Sequence, residues 1–260
     1  MMRSLWIAKT GMEAQQTQLD NISHNLANVA TNGYKRSHAV FEDLIYQNLR
    51  QSGANTTEQT VLPTGLQVGL GVRPVATARI YTQGNLQQTS NNLDLAIKGD
   101  GFFQIQMPDG TTAYTRDGSF KLSATGQVVT SNGALLQPPI AIPANVASIS
   151  VGQDGTVSVE NAGGGAQVIG QIQLARFVNP AGLQAAGQNL LKETPASGPA
   201  QIGQPGQLGT GQLMQGALEA SNVNVVEEMV NMIETQRAYE INSKAISAVD
   251  GMLRFLNNNM

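Results

Sequence analysis

With 260 residues, 13% of them charged, and a formal net charge of −3, the chain can bury a substantial core but lacks the basic excess that a nucleic-acid-binding surface needs. It contains no cysteine, which excludes disulfides, thiolate metal sites and cysteine nucleophiles and makes the chain indifferent to the redox state of its compartment. No stretch approaches the roughly 20 continuous apolar residues of a membrane-spanning helix, and Met1-Met2-Arg3-Ser4-Leu5-Trp6-Ile7-Ala8-Lys9 turns polar before a secretory core develops, so neither a spanning segment nor a cleaved signal peptide is expected.

From the N-terminus, Leu5, Met12, Leu19 and Leu26 recur every seven positions, with Ala8, Ile22 and Val29 on the adjoining positions and polar Gln15 interrupting them. The spacing predicts an amphipathic helix of about seven turns within residues 1–33, closed at Asn32-Gly33 by a left-handed residue. Residues 34–83 read as an extended connector, in which Gln47 to Gly71, rich in Gln, Thr, Asn and Gly, looks irregular. From 84 to 179 the period changes to two. Phe103, Ile105 and Met107 alternate with Gln104 and Gln106, and Ile172 and Leu174 alternate with Gln171 and Gln173, which predicts strands. Asp109-Gly110, Asp117-Gly118, Asn132-Gly133 and Asp154-Gly155 punctuate this region as tight turns.

Residues 180–223 read as a return connector, irregular from Pro180 to Gly216 and carrying Pro195, Pro199 and Pro205. Residues 224–260 predict a second long helix, with Met232, Tyr239, Ile246 and Leu253 seven apart, Ala238, Ala245 and Met252 beside them, and Val249 and Leu256 completing the stripe. Asn224 with Glu227 has capping-box spacing, and Glu227 and Glu228 place negative charge at the positive end of the helix dipole. The expected fold is therefore α+β: long N- and C-terminal α-helices forming a coiled-coil-like pair, with a central, mainly antiparallel β domain.

A two-helix hairpin covers one seam only, which is marginal for stability unless neighbouring subunits cover more. The heptad residues are thus open to two readings, an intramolecular core or intersubunit packing. The residues assigned to intersubunit packing are Leu5, Met12, Leu19, Ile22, Leu26, Met232, Tyr239, Ile246, Val249 and Leu253.

Chemistry is hard to place on this chain. His24 and His38 stand fourteen residues apart without an H-E-x-x-H pattern, and Gly65 to Gly71 matches neither G-x-G-x-x-G nor a P-loop. Asp94, Asp100, Asp109 and Asp117 are the carboxylates to weigh for glycoside hydrolysis, but turn-making explains them more simply. No G-x-S-x-G elbow occurs. No catalytic residue, cofactor or metal is expected, and the chain reads as a non-enzyme.

Three segments carry a resemblance. They are Asn21-Ile22-Ser23-His24-Asn25-Leu26-Ala27-Asn28 through Asn32-Gly33-Tyr34-Lys35; Gly84-Asn85-Leu86 through Asp100-Gly101-Phe102-Phe103 with Tyr114-Thr115-Arg116-Asp117-Gly118; and Ser221-Asn222-Val223-Asn224 through Gln236-Arg237-Ala238-Tyr239-Glu240. In this order they resemble the rod, hook and hook-associated proteins of the bacterial flagellum, apart from Ser23-His24, where the family usually has Ala-Asn. Phe41 to Gln47 and Leu62 to Pro74 are most similar to the distal-rod members of that family, and the Gln47 to Gly65 linker resembles a distal-rod insertion.

The resemblance implies a structural subunit of a helical tube in the basal body, with terminal helices around a central channel, export by the flagellar type III apparatus, and torque transmission from motor to hook. Implied partners are copies of itself, proximal rod proteins, the hook protein and the surrounding P-ring and L-ring proteins, in a rod that crosses the periplasm to the outer membrane. Nucleic acid is not among them. A proximal rod protein of the same family and a secreted peptidoglycan hydrolase are the alternative readings.

Overall fold

The computed structural model describes residues 2–53, 55–57, 60–61, 63–143, 146–161 and 165–258. Leu62 of the resemblance and the Leu256 side chain of the second stripe lie outside the described residues. The chain is α+β, with an N-terminal helix α1 (Met2–Ala27), a C-terminal helix α2 (Val225–Asn258) and a central antiparallel β domain. It divides into two compact units. One comprises Met1–Leu26, Ser37–Ala78 and Asn224–Met260, and the other Ala27–Arg36 and Arg79–Val223.

The second unit is built on the strand Phe102–Gln106. One of its edges pairs with Thr112–Thr115, and the other pairs with Leu135–Gln137 and then Leu174–Arg176, all antiparallel. Phe103 and Ile105 enter the larger apolar cluster with Leu95, Ile97, Phe120 and Leu136, where Phe103 and Phe120 meet edge to face with centroids 5.1 Å apart. Phe102 turns to the opposite face, against Tyr114, Phe177 and Leu183. Because both faces are covered, Gln104 is buried as well, although simple alternation would have placed it in water. A three-stranded antiparallel sheet of Val146–Val151, Thr156–Asn161 and Ala166–Gln171 adds Val157 and Val159 to the larger cluster.

Both stretches that look irregular in the sequence form strands. Tyr46–Arg50 pairs with Leu66–Gly69, and Asn55–Thr57 pairs with Thr60–Val61. Between 180 and 216, Gln184–Gly187, Leu190–Lys192 and Gln201–Gly203 join the large sheet, while Gln212–Gln215 pairs with Leu95–Lys98. These strands are only three to four residues long, and apart from the hairpin of Gln184–Gly187 with Leu190–Lys192 their partners are distant in sequence, so Pro195, Pro199 and Pro205 mark the turns between them rather than an unstructured linker.

The four turn dipeptides have two physical origins. Gly110, Gly133 and Gly155 take left-handed conformations, with φ of +80°, +83° and +84°. Gly118 does not. A Cβ there would lie 1.6 Å from the Leu95 carbonyl oxygen, so it is the close backbone approach that demands glycine. Asp109 accepts hydrogen bonds from the Thr111 hydroxyl (2.7 Å) and amide (3.2 Å), and these bonds hold its carboxyl below the ordinary range. Asp94 accepts from Thr89 and Asn91, and Asp117 from Ser119. Three of the four carboxylates weighed for hydrolysis are thus engaged by their own turns.

α1 stops at Ala27, earlier than the heptad pattern implies. The Thr31 amide donates to the Asn28 carbonyl and its hydroxyl to Asn28 Oδ1, which forms a turn that removes Val29 from the helix. Gly33 is left-handed (φ +68°), but six residues past the helix. A Cβ there would lie 2.6 Å from the Asp117 amide nitrogen, and its own amide donates to the Glu219 carbonyl at 2.7 Å.

Around Glu219 the second unit closes on a buried charge cluster. Lys35 Nζ donates to Glu219 Oε1 at 2.5 Å and to the Thr82 carbonyl at 2.7 Å. Arg116 Nε lies 2.9 Å from Glu219 Oε2, off the line of a hydrogen bond, while its Nη1 donates to the carbonyls of Gly99 and Gly101. The Gly84 amide completes the shell at 3.0 Å from Oε1. All three charged side chains are at most 5% exposed. Burial pushes the Lys35 ammonium below the usual lysine value, and the Glu219 carboxylate opposes that shift only in part.

Removing one member leaves uncompensated charge in the interior. Glu219→Ala is expected to destabilise this unit by about 3–5 kcal/mol in urea unfolding followed by circular dichroism, and an unchanged midpoint would contradict the cluster's structural role. Gly118→Ala is expected to lower the same midpoint by separating the Leu95 and Gly118 backbones, whereas Gly133→Ala, with open space around it, should show only the smaller penalty of its positive φ.

Candidate assembly surface

In the first unit, α1 buries an unexpected face. Thr10, Ala14, Asn21, Ile22 and Asn25 are its buried residues, and apart from Ile22 they are small or polar. A two-stranded ribbon of Ser37–Asp43 and Val72–Arg79 meets this face at both of its ends. At one end Asn25 Nδ2 donates to the Ser37 carbonyl (2.8 Å) and Asn25 Oδ1 accepts the Ser37 amide (2.9 Å). At the other end Gly71, with φ +121°, sits so close to Thr10 that a Cβ would be 2.2 Å from Thr10 Oγ1. Thr10 to Asn25 spans about 22 Å of helix, and the seven residues Ser37–Asp43 span about 23 Å of strand, so the ribbon runs antiparallel along this face.

The predicted stripe lies elsewhere on the helix. Ile22 is buried at 2% exposure, whereas Leu5, Met12, Leu19 and Leu26 are only half-buried, and Trp6 beside them is 56% exposed. Polar side chains at positions 21 and 25 satisfy the backbone of the ribbon, which is why they and not leucines face inward.

α2 begins at an asparagine cap, with Asn224 Oδ1 accepting the Val226 amide at 3.1 Å. Glu228 is buried and accepts a hydrogen bond from Asn25 Nδ2 at 3.4 Å, in addition to its favourable place at the helix start. Farther along, a Cβ at Gly11 would lie 3.2 Å from Asn242 Nδ2, so the helices approach closely there. Fourteen residues separate Gly11 from Asn25 and fourteen separate Glu228 from Asn242, so both contacts belong to one antiparallel register.

That register decides which predicted residues share a level. Leu5 is level with Ala248 and Val249, and Ile22 with Asn231 and Met232. Met12 is level with Ile241 and Asn242, Leu19 with Glu234 and Thr235, and Leu26 with Glu227 and Glu228, none of them an apolar residue of the second stripe. Met232, Ile246, Val249 and Leu253 are half-buried, and Tyr239 is 39% exposed. The opposite face of α2 carries a second apolar row, Val226, Met229, Val230 and Ile233, every member at least 49% exposed. Its three- and four-residue spacing is visible in the sequence, but the seven-residue repeat starting at Met232 draws attention away from it.

Among the described residues no three His, Asp or Glu side chains converge as metal ligands, and no helix is long and apolar enough to cross a membrane. His24 and His38 are both exposed. What the unit presents is apolar surface on two long helices.

Comparison with known proteins gives this surface a context. Residues 5–35 match the family described as flagella basal body rod protein, residues 96–159 the flagellar hook protein FlgE/F/G D1 domain, and residues 214–259 the flagellar basal body rod FlgEFG protein C-terminal. The chain is 57% identical to the flagellar basal-body rod protein FlgG of Buchnera aphidicola subsp. Acyrthosiphon pisum, over 98% of this chain and 99% of the relative. It is 51% identical to the protein of that name from Borreliella burgdorferi, over 99% and 98%, and 42% identical to that from Bacillus subtilis, over 99% of each. The chain belongs to the flagellar basal-body rod protein family.

Proposed function

We propose that the chain is a structural subunit of the distal rod, assembling into a helical tube that carries torque from motor to hook and whose channel passes later axial proteins. The observation that carries this reading is the apolar surface left on both terminal helices. The chain meets the small, polar face of α1 with its own ribbon and leaves Leu5, Met12, Leu19 and Leu26 half-exposed, while Val226, Met229, Val230 and Ile233 of α2 face outward. A monomer gains nothing from apolar rows in water, whereas an open helical assembly needs heterologous contacts that repeat without closing.

On this reading the coiled-coil-like packing expected of the heptads is made between subunits, with residues 1–33 and 224–260 as the axial segments. Copies of the chain are the main partners, with proximal rod proteins and the hook protein at the ends and the P-ring and L-ring proteins around the rod. The location is the basal body, where the rod crosses the periplasm to the outer membrane, and export proceeds through the flagellar type III apparatus. The mechanism is packing, and no residue has a catalytic role.

Leu19→Asp and Ile233→Asp test the two helix faces separately. Each is expected to leave the unfolding midpoint of the β domain unchanged and to abolish incorporation into basal bodies, read by immunoblot of purified hook–basal bodies and by loss of swimming. Normal rods from either variant would remove that face from the seam.

A further inference from the structure

The segment Gln204–Thr210 of the second unit ends in a tip, Leu208, that is 76% exposed and held at φ +53°. A left-handed conformation disfavours any residue with a Cβ, and Gly206 and Gly209 show that glycine is at home in this loop, so a leucine here runs against both solvation and backbone preference. The loop is braced. The Thr210 amide donates to the Gln207 carbonyl (2.9 Å), the Thr210 hydroxyl lies 2.7 Å from the same oxygen, and the Gly206 amide donates to the Gly211 carbonyl (3.0 Å). Arg176 Nη1 donates to the carbonyl of Leu208 itself at 3.2 Å. A stiff mount thus presents one apolar side chain to water, and Gln204–Thr210 contains no charged residue.

A recess of matching character lies elsewhere on the same unit. A groove of about 450 Å³ runs between Leu122 to Gly126 and the Val146–Ile149 part of an edge strand, with Ile142 and Pro143 in its wall and no charged residue among those lining it. It offers apolar contact beside an edge strand whose Ile149 carbonyl is already taken by Gln215 Nε2.

We infer that Leu208 of one copy seats in the Leu122–Ile149 groove of the next copy, forming a lateral contact between β domains in the rod. The inference rests on the proposed tubular assembly, in which one patch of a subunit meets a different patch of its neighbour. Both patches are neutral, so they join copies of a chain whose net charge is −3 without placing like charges against each other. The strained leucine is retained because its side chain acts on a neighbouring molecule.

The cysteine-free chain allows a direct test in assembled rods. Leu208→Cys combined with Ala147→Cys, oxidised in purified basal bodies, is expected to yield a ladder of disulfide-linked oligomers on non-reducing gels that neither single variant gives. Rods that assemble normally without the ladder, or with equal ladders from the single variants, overturn the contact and leave the rod reading intact. Failure of the unmodified chain to enter basal bodies would instead overturn the rod reading itself. Should the cysteine pair not assemble, Leu208→Gly decides the matter. It relieves the positive φ, so the purified protein should melt no lower than the parent while its incorporation into basal bodies falls about tenfold. Unchanged incorporation would overturn the inference.

Discussion

The carboxylate of Glu219, buried between Lys35 and Arg116, holds together stretches of chain that lie far apart in sequence. Lys35 follows the turn after α1, Arg116 belongs to the β domain, and Glu219 lies on the returning strand just ahead of α2. A buried ion cluster is a poor source of net stability, because desolvation offsets much of the attraction. It is a strong source of uniqueness. Two cations and one anion, surrounded by carbonyls and amides that complete their hydrogen bonds, have few alternative arrangements, so the entry and exit of the second unit are fixed at one place.

The two units manage apolar surface in opposite ways. In the second, aromatic and branched side chains are covered on both faces of the central strand, and the result is a self-sufficient core. In the first, close packing is concentrated where small and polar residues meet: Thr10 with Gly71, Asn25 with Ser37 and Glu228, Gly11 with Asn242. Such contacts set register and direction more than they supply burial free energy, and they leave the leucines and methionines of both helices available. A subunit arranged in this way is ordered enough to present its helices and incomplete enough to need neighbours.

Much of the architecture was legible because it depends on local signals. The seven-residue repeats, the Asn224 cap and the period-two strands each follow from residues near one another in the chain, and three of the four turn glycines have the conformation their dipeptides imply. The inward face of α1 was not legible, since a ribbon with unpaired backbone groups selects Asn21 and Asn25 where hydrophobicity alone would select Leu19 and Leu26. The strands between 180 and 216 were hidden for a related reason: each is too short to show a period, and its partner lies up to about a hundred residues away. Lys35, Arg116 and Glu219 carry no sign of their burial in the sequence, because nothing in residue spacing signals a burial that only the closed fold creates.

Hydrogen exchange read by mass spectrometry on dilute, monomeric protein, compared with the same protein in isolated rods, tests most directly whether the terminal helices depend on neighbours. The account predicts fast exchange across residues 2–27 and 225–258 of the monomer, slow exchange in the β domain, and strong protection of both helices once the rod has formed. Protection of the helices in the monomer equal to that of the β domain would contradict it, because the leucine and methionine rows would then already be stabilised within a single chain.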